Sequence, residues 1–201
     1  MSILRKRSLA QLHWGVLIII VFILSGCTNP FNPNTVNSVP SYEIRENNTP
    51  RNVLLNLETS YNQQNLDLFK SCLSNSFRFE LISVETDEIG VDMDGDGIKD
   101  SWWDYDQEVD YHRNLFKHGS SDGVFPPPDN LYLNLQIPQE DAWLTDNQEG
   151  REDWIIIPAY FYLSLTVFGS SNISADGYAR FYLRPEGNEW RIIIWRDESH
   201  I

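Results

Sequence analysis

Apolar residues in this chain change their spacing near residue 73, and that change sets the class of fold. Upstream, Val53, Leu54, Leu57 and Tyr61 recur at helical intervals. They follow Thr49-Pro50, a capping hydroxyl with proline at the first helical position. Asn62 to Asn65 interrupts the pattern, and Leu66, Phe69, Cys72 and Leu73 give a second short helix. The period then becomes two. Phe77, Phe79 and Leu81 face one way and Arg78, Glu80 and Ile82 the other, as in a half-buried strand. A helical stripe returns once, in a helix expected over 103–117 that carries Tyr105, Val109, His112 and Phe116. Only strand patterns follow, over 131–137, 154–168, 178–184 and 190–196. Pro185-Glu186-Gly187-Asn188 turns the last two into a hairpin. Residues 139–152 are polar and read as irregular, with Trp143 tucked down. Helices first and strands last predict an α+β fold, its N-terminal helices packed in a curved antiparallel sheet.

The first 49 residues follow neither pattern. Arg5-Lys6-Arg7 precedes an apolar run from Trp14 to Leu24. That run is too short for a permanent membrane helix, which takes about 20 residues, and suits the apolar part of a secretory signal. It ends in Leu24-Ser25-Gly26-Cys27. Residues 1–26 therefore resemble a bacterial lipoprotein signal peptide. The resemblance implies cleavage before Cys27, lipid on its sulfur, acylation of the new amine and a membrane-anchored protein of the cell envelope. Thr28, in place of aspartate, implies the outer membrane if the source is diderm. Residues 27–49, rich in Asn, Pro and Ser, read as a flexible tether, and 50–201 as the folded domain.

Composition excludes some partners. Of 201 residues, 41% are hydrophobic and 13% aromatic, enough for a core. The 29 acidic residues outnumber the 15 basic ones, and the net charge of -14 repels phosphate backbones, so no nucleic acid is expected as a partner. With lipid on Cys27, Cys72 has no partner in the chain and reads as a small core residue.

One loop has the chemistry of a hard cation site. Asp92, Asp94 and Asp96 stand at alternate positions, Asp100 follows at the ninth position of the loop, and Gly97 permits a sharp turn. Calcium takes six to eight oxygen ligands, which this density can supply. The carbonyl of Ile98 would add a backbone oxygen. The segment 92–100 resembles the calcium loops of thrombospondin type 3 repeats, dockerins and EF-hands. Trp103 stands where an EF-hand has its bidentate glutamate, so the expectation is one structural calcium rather than a regulatory pair.

The order of elements resembles the nuclear transport factor 2-like superfamily. The residues that carry it are 50–81, with Tyr61-Asn62-Gln63-Gln64-Asn65-Leu66-Asp67 between the helices, and the closing hairpin Gly187 to Trp195. The resemblance implies a cone with a pocket between helices and sheet. It spans isomerases, cyclases, dehydratases and non-catalytic binding domains. In the isomerases the base falls at the end of the first strand, at Glu80 here, and the oxyanion donor at Leu57, which cannot donate. The expectation is therefore a lipid-anchored, non-catalytic binding or interaction domain. The alternative is an enzyme of isomerase, cyclase or dehydratase type, with Glu80 as general base assisted by His112 or a late-strand tyrosine. Late-strand residues Tyr160, Tyr162, Arg180, Tyr182, Arg191 and Trp195 are the candidate pocket lining. Besides the membrane, the partner is left open between a protein, a small-molecule ligand and a second copy in a homodimer.

Overall fold

A computed structural model describes residues 42–82, 85–120, 123–167 and 173–198. Residues 1–41, which include the expected signal peptide, Cys27 and most of the expected tether, lie outside the described residues. Three helices lead and punctuate the sheet: α1 (Pro50–Asn62), α2 (Leu66–Cys72) and a single turn, α3 (Thr86–Ile89). A fourth, α4 (Tyr105–Arg113), runs on into a π-helical turn, Asn114–His118. The strands are β1 (Leu73–Glu80), β2 (Trp102–Asp104), β3 (Asn130–Gln136), β4 (Leu144–Thr145), β5 (Ile155–Thr166), β6 (Ile173–Glu186) and β7 (Glu189–Asp197). They form one sheet in the order β2-β1-β7-β6-β5-β3, with β4 on β5.

The first two helices start where the sequence predicts. The Thr49 side chain accepts from the Asn52 amide at 3.1 Å, and Pro50 needs no partner for its nitrogen. Asn65 caps α2 by accepting from Leu68. The inner face of the sheet and the helices share one core. Val53, Leu54 and Leu57 of α1 and Phe69 of α2 meet Phe77, Ile157, Phe181 and Ile192, and all are essentially inaccessible. Trp154, Tyr182, Ile193 and Ile194 form a second, smaller cluster. Register shifts in β1 and between β6 and β7 mark bulges, which bend strands and curve a sheet.

Four features depart from the sequence expectation. The sheet is mixed, because β1 runs parallel to β7. This pair joins segments more than a hundred residues apart, and side-chain alternation carries no strand direction. Residues 103–117 do not start as a helix: Trp102–Asp104 pairs with β1, and Asp104 then caps α4. Residues 139–152 contain a 3-10 turn, Glu140–Ala142, and the short β4, while Trp143 donates to the Pro138 carbonyl at 3.2 Å. Residues 42–49 pack on the domain rather than belonging to the tether. Buried Asn56 accepts from the Arg45 amide and donates to Asn47 Oδ1, and the Asn47 carbonyl accepts from Trp190. Cys72 is a free, buried core thiol whose pKa burial pushes up to about 12.

Candidate active site

The short helix α4 sets the chemistry. Its side chains at 108 and 112 lie one turn apart and point inward, so a carboxylate and an imidazole enter the core together. Trp103, on β2 just before the helix, stacks on Phe79 with centroids 4.4 Å apart and donates its indole N–H to Glu108 Oε2 at 2.5 Å. His112 Nδ1 lies 3.0 Å from the Glu108 carbonyl oxygen and 3.4 Å from Glu108 Oε1. A carbonyl only accepts, so the network assigns the proton to Nδ1. Nε2 then accepts from the Tyr61 hydroxyl of α1 at 2.5 Å. Phe69 stacks on the imidazole at 3.8 Å, and Phe116, carried by the π-helical turn, meets it edge-on.

Burial sets the protonation states. Glu108 is 2% exposed, and desolvation raises its pKa to about 7, although the Trp103 N–H pulls the other way. His112 is held neutral, its pKa lowered to about 4 by desolvation, against the backbone hydrogen bond. Desolvation and the nearby Glu108 push Tyr61 well above the phenol range.

These groups open on a cavity of about 510 Å³ between the helices and the inner face of the sheet. Its floor includes Tyr61, Glu108 and His112, its walls Phe79, Trp103, Phe161 and Trp195, and its mouth residues 174–176. No Lys or Arg lines it among the described residues.

Two of the candidate site residues singled out from the sequence line this cavity. Trp195 is a wall, and His112 is at the floor. The other late-strand candidates are not in the cavity. Tyr182 packs with Trp154, and Arg196 lies 5.2 Å over its ring. Arg180 pairs with Glu198, Arg191 with Glu189, and Tyr160 donates to Asp176. Tyr162 is 40% exposed beside Tyr132. Glu80 as general base is corrected: its Oε2 accepts two hydrogen bonds from Arg196, at 2.6 and 2.8 Å, in a separate groove. The alternation that sends Phe77 and Phe79 inward sends Glu80 the other way. Leu57 donates nothing and is wholly buried, but Tyr61, one turn further along α1, brings a hydroxyl into the cavity.

Glu108, Tyr61 and Trp103 escaped the sequence reading. One signal was there: Glu108 stands four residues before His112 on a helix face that also carries Val109 and Phe116. Taking Trp103 as the helix start hid its link to Glu108.

In the acidic loop, carboxylate oxygens of Asp92, Asp94 and Asp100 lie within 4.8 Å of one another. Asp92 also accepts from the Gly95 and Gly97 amides, and Asp100 from Met93. Asp96 stands outside that trio and accepts from the Ile98 amide at 2.8 Å. The Ile98 side chain is 70% exposed.

Neither protein-family models nor curated proteins match this chain. Solved structures do. A conserved protein of Planctomyces limnophilus superposes with a TM-score of 0.51 at 8% identity, over 73% of this chain and 90% of that one. The fold is the nuclear transport factor 2-like cone. A putative scytalone dehydratase of Novosphingobium aromaticivorans gives 0.48 at 5% identity, over 75% and 85%. A hexachlorocyclohexane dehydrochlorinase gives 0.46 at 7%, over 73% and 79%. The non-catalytic reading is corrected by the cavity itself: the cone is not plugged but open, and a carboxyl, an imidazole and a phenol converge in it.

Proposed function

We propose that the protein is a general acid–base enzyme acting on a small, largely apolar molecule held in the cone. The observation that carries this is Glu108: a carboxyl titrating near 7, at the floor of an open aromatic cavity, beside the Tyr61–His112 pair. A base works best when its pKa lies near the operating pH. Ionised Glu108 takes a proton from a carbon acid. The electron pair of the broken C–H bond moves onto an adjacent carbonyl, or expels a leaving group, giving an isomerisation or an elimination. The Tyr61 hydroxyl turns its hydrogen from His112 Nε2 to the oxygen where charge develops. Among the described residues no Lys or Arg lines the cavity, which favours a neutral substrate over an anionic one.

The test uses 5-nitrobenzisoxazole, an apolar ring whose elimination needs only a positioned base. The protein should open it faster than buffer does, with a rate rising as pH passes about 7. Glu108→Gln should remove the acceleration. No acceleration, or one that Glu108→Gln leaves intact, overturns the reading.

We propose in addition that Cys27 carries lipid and holds this domain at a cell-envelope membrane. The support is the charged, apolar and Leu24-Ser25-Gly26-Cys27 sequence. Calcium in the 92–100 loop is likewise a proposal, supported by the convergence of Asp92, Asp94 and Asp100.

A further inference from the structure

The groove that holds Glu80 is unlike the rest of the molecule. It lies apart from the catalytic cavity, has a volume of about 500 Å³, and is bounded by β1, β6, β7 and the loop before β5. Arg78, Arg151, Arg184 and Arg196 line it, four of the chain's fifteen basic residues, against Glu80 alone of its acids. Each guanidinium is held over an aromatic ring: Arg78 at 4.0 Å over Trp102, Arg151 at 4.6 Å and Arg184 at 5.8 Å over Trp154, and Arg196 at 5.2 Å over Tyr182. Such stacking fixes a long side chain before a ligand arrives, which lowers the entropy lost on binding.

Three of the four arginines hold a carboxylate partner, and the groove keeps a surplus of one positive charge. Arg196 pairs with Glu80, Arg184 with Glu186 and Arg151 with Asp146, at 2.6, 2.7 and 3.4 Å. Among the described residues Arg78 has no carboxylate partner and is exposed, with its ring contact alone. Arg184 donates from Nε and Nη2 to Glu186 Oε1, and its Nη2 also reaches Ser76 Oγ at 3.2 Å, so a guanidinium and a hydroxyl both line the groove. Trp154, Ile193 and Ile194 supply an apolar wall beside these donors.

We propose that this groove binds a small organic anion carrying two negative charges, a phosphate monoester or a dicarboxylate, on a short carbon skeleton. Guanidinium forks match both groups in a bidentate way. The size of the groove accommodates more than an isolated ion. The net charge of -14 decides against a polymer. An extended polyanion spans many Debye lengths, about 8 Å each at physiological salt, and meets the repulsion of the whole surface. A small ligand seated in the groove meets the unpaired Arg78, beside three arginines whose carboxylate partners it can share.

The experiment is isothermal titration calorimetry of the protein with glucose 6-phosphate, glutarate and glucose. At least one of the two anions should bind with a dissociation constant of about 1 mM or tighter and weaken with added salt, while glucose should not bind. Arg78→Gln should weaken binding at least about tenfold, the scale of one lost charged hydrogen bond. Arg113→Gln, an exposed change on α4 away from the groove, should leave it unaltered. Silence from both anions overturns the proposal. Equal weakening by Arg78→Gln and Arg113→Gln overturns it too, because the effect is then general charge. Sedimentation of the same proteins gives the last arm: a dimer that Arg78→Gln dissociates would assign the groove to a second copy and overturn the small-ligand reading.

Discussion

Replacing Glu108 by glutamine tests the electrostatics of the site without any knowledge of the substrate. The folded protein holds the Glu108 proton to about pH 7, whereas the ordinary value is 4.5. Between those values the folded state keeps a proton that the unfolded chain has released. Stability is therefore full below 4.5, falls as pH rises, and levels off above 7. At roughly 1.4 kcal/mol per pH unit, the loss across that window comes to about 3 kcal/mol. His112 contributes the opposite slope. Its folded value of about 4 lies below the ordinary 6.5, so its stabilisation is present above 6.5 and is lost on acidification through 4. That contribution is common to both proteins and drops out of their difference. Glutamine keeps an oxygen for the Trp103 N–H, and any cost of its amide next to His112 is constant with pH. Urea denaturation followed by tryptophan fluorescence, at steps from pH 5 to 9, should show Glu108→Gln gaining about 3 kcal/mol on the wild type across the range. Parallel pH profiles for the two proteins would refute a buried carboxyl titrating near neutrality, and with it the assignment of Glu108 as the base.

Two further outcomes are expected. Calcium should raise the melting temperature, by the equivalent of about 2.7 kcal/mol at a hundredfold excess over its dissociation constant, and Asp94→Ala should remove most of that gain. Scanning calorimetry with calcium and with chelator reads it, and coincident melting curves in the two conditions would dismiss the site. Mass spectrometry of the native N-terminus should find a lipid-modified Cys27; an intact Met1 or an unmodified Cys27 would exclude the anchor.

The helices and most strands were legible because each reports a local constraint. Thr49-Pro50 can start a helix whatever surrounds it, and the alternation through Phe77, Phe79 and Leu81 follows from burying one face of a strand. The site was half legible for the same reason. His112 stands out on an apolar stripe, but what it does depends on Tyr61, fifty-one residues earlier, and on the Glu108 carbonyl below it. Glu80 misled because position along the strand was weighed above the face it occupies. Trp103 misled because an aromatic residue before a helical stripe looks like its first turn. Its pairing with Phe79 across β1 is a contact between distant segments.

The sequence alone determined the α+β order of elements, the start of the first helix, the alternation of the first strand and the net acidic charge. These are properties of neighbouring residues and of summed charge, and neither needs coordinates. The tertiary structure alone decided that β1 runs parallel to β7, that Arg196 holds Glu80, and that Glu108, His112 and Tyr61 meet at the floor of the cone. The physical reason is desolvation. A glutamate near pKa 7 and a histidine near 4 are products of what the rest of the chain packs around them, and no local pattern encodes that burial.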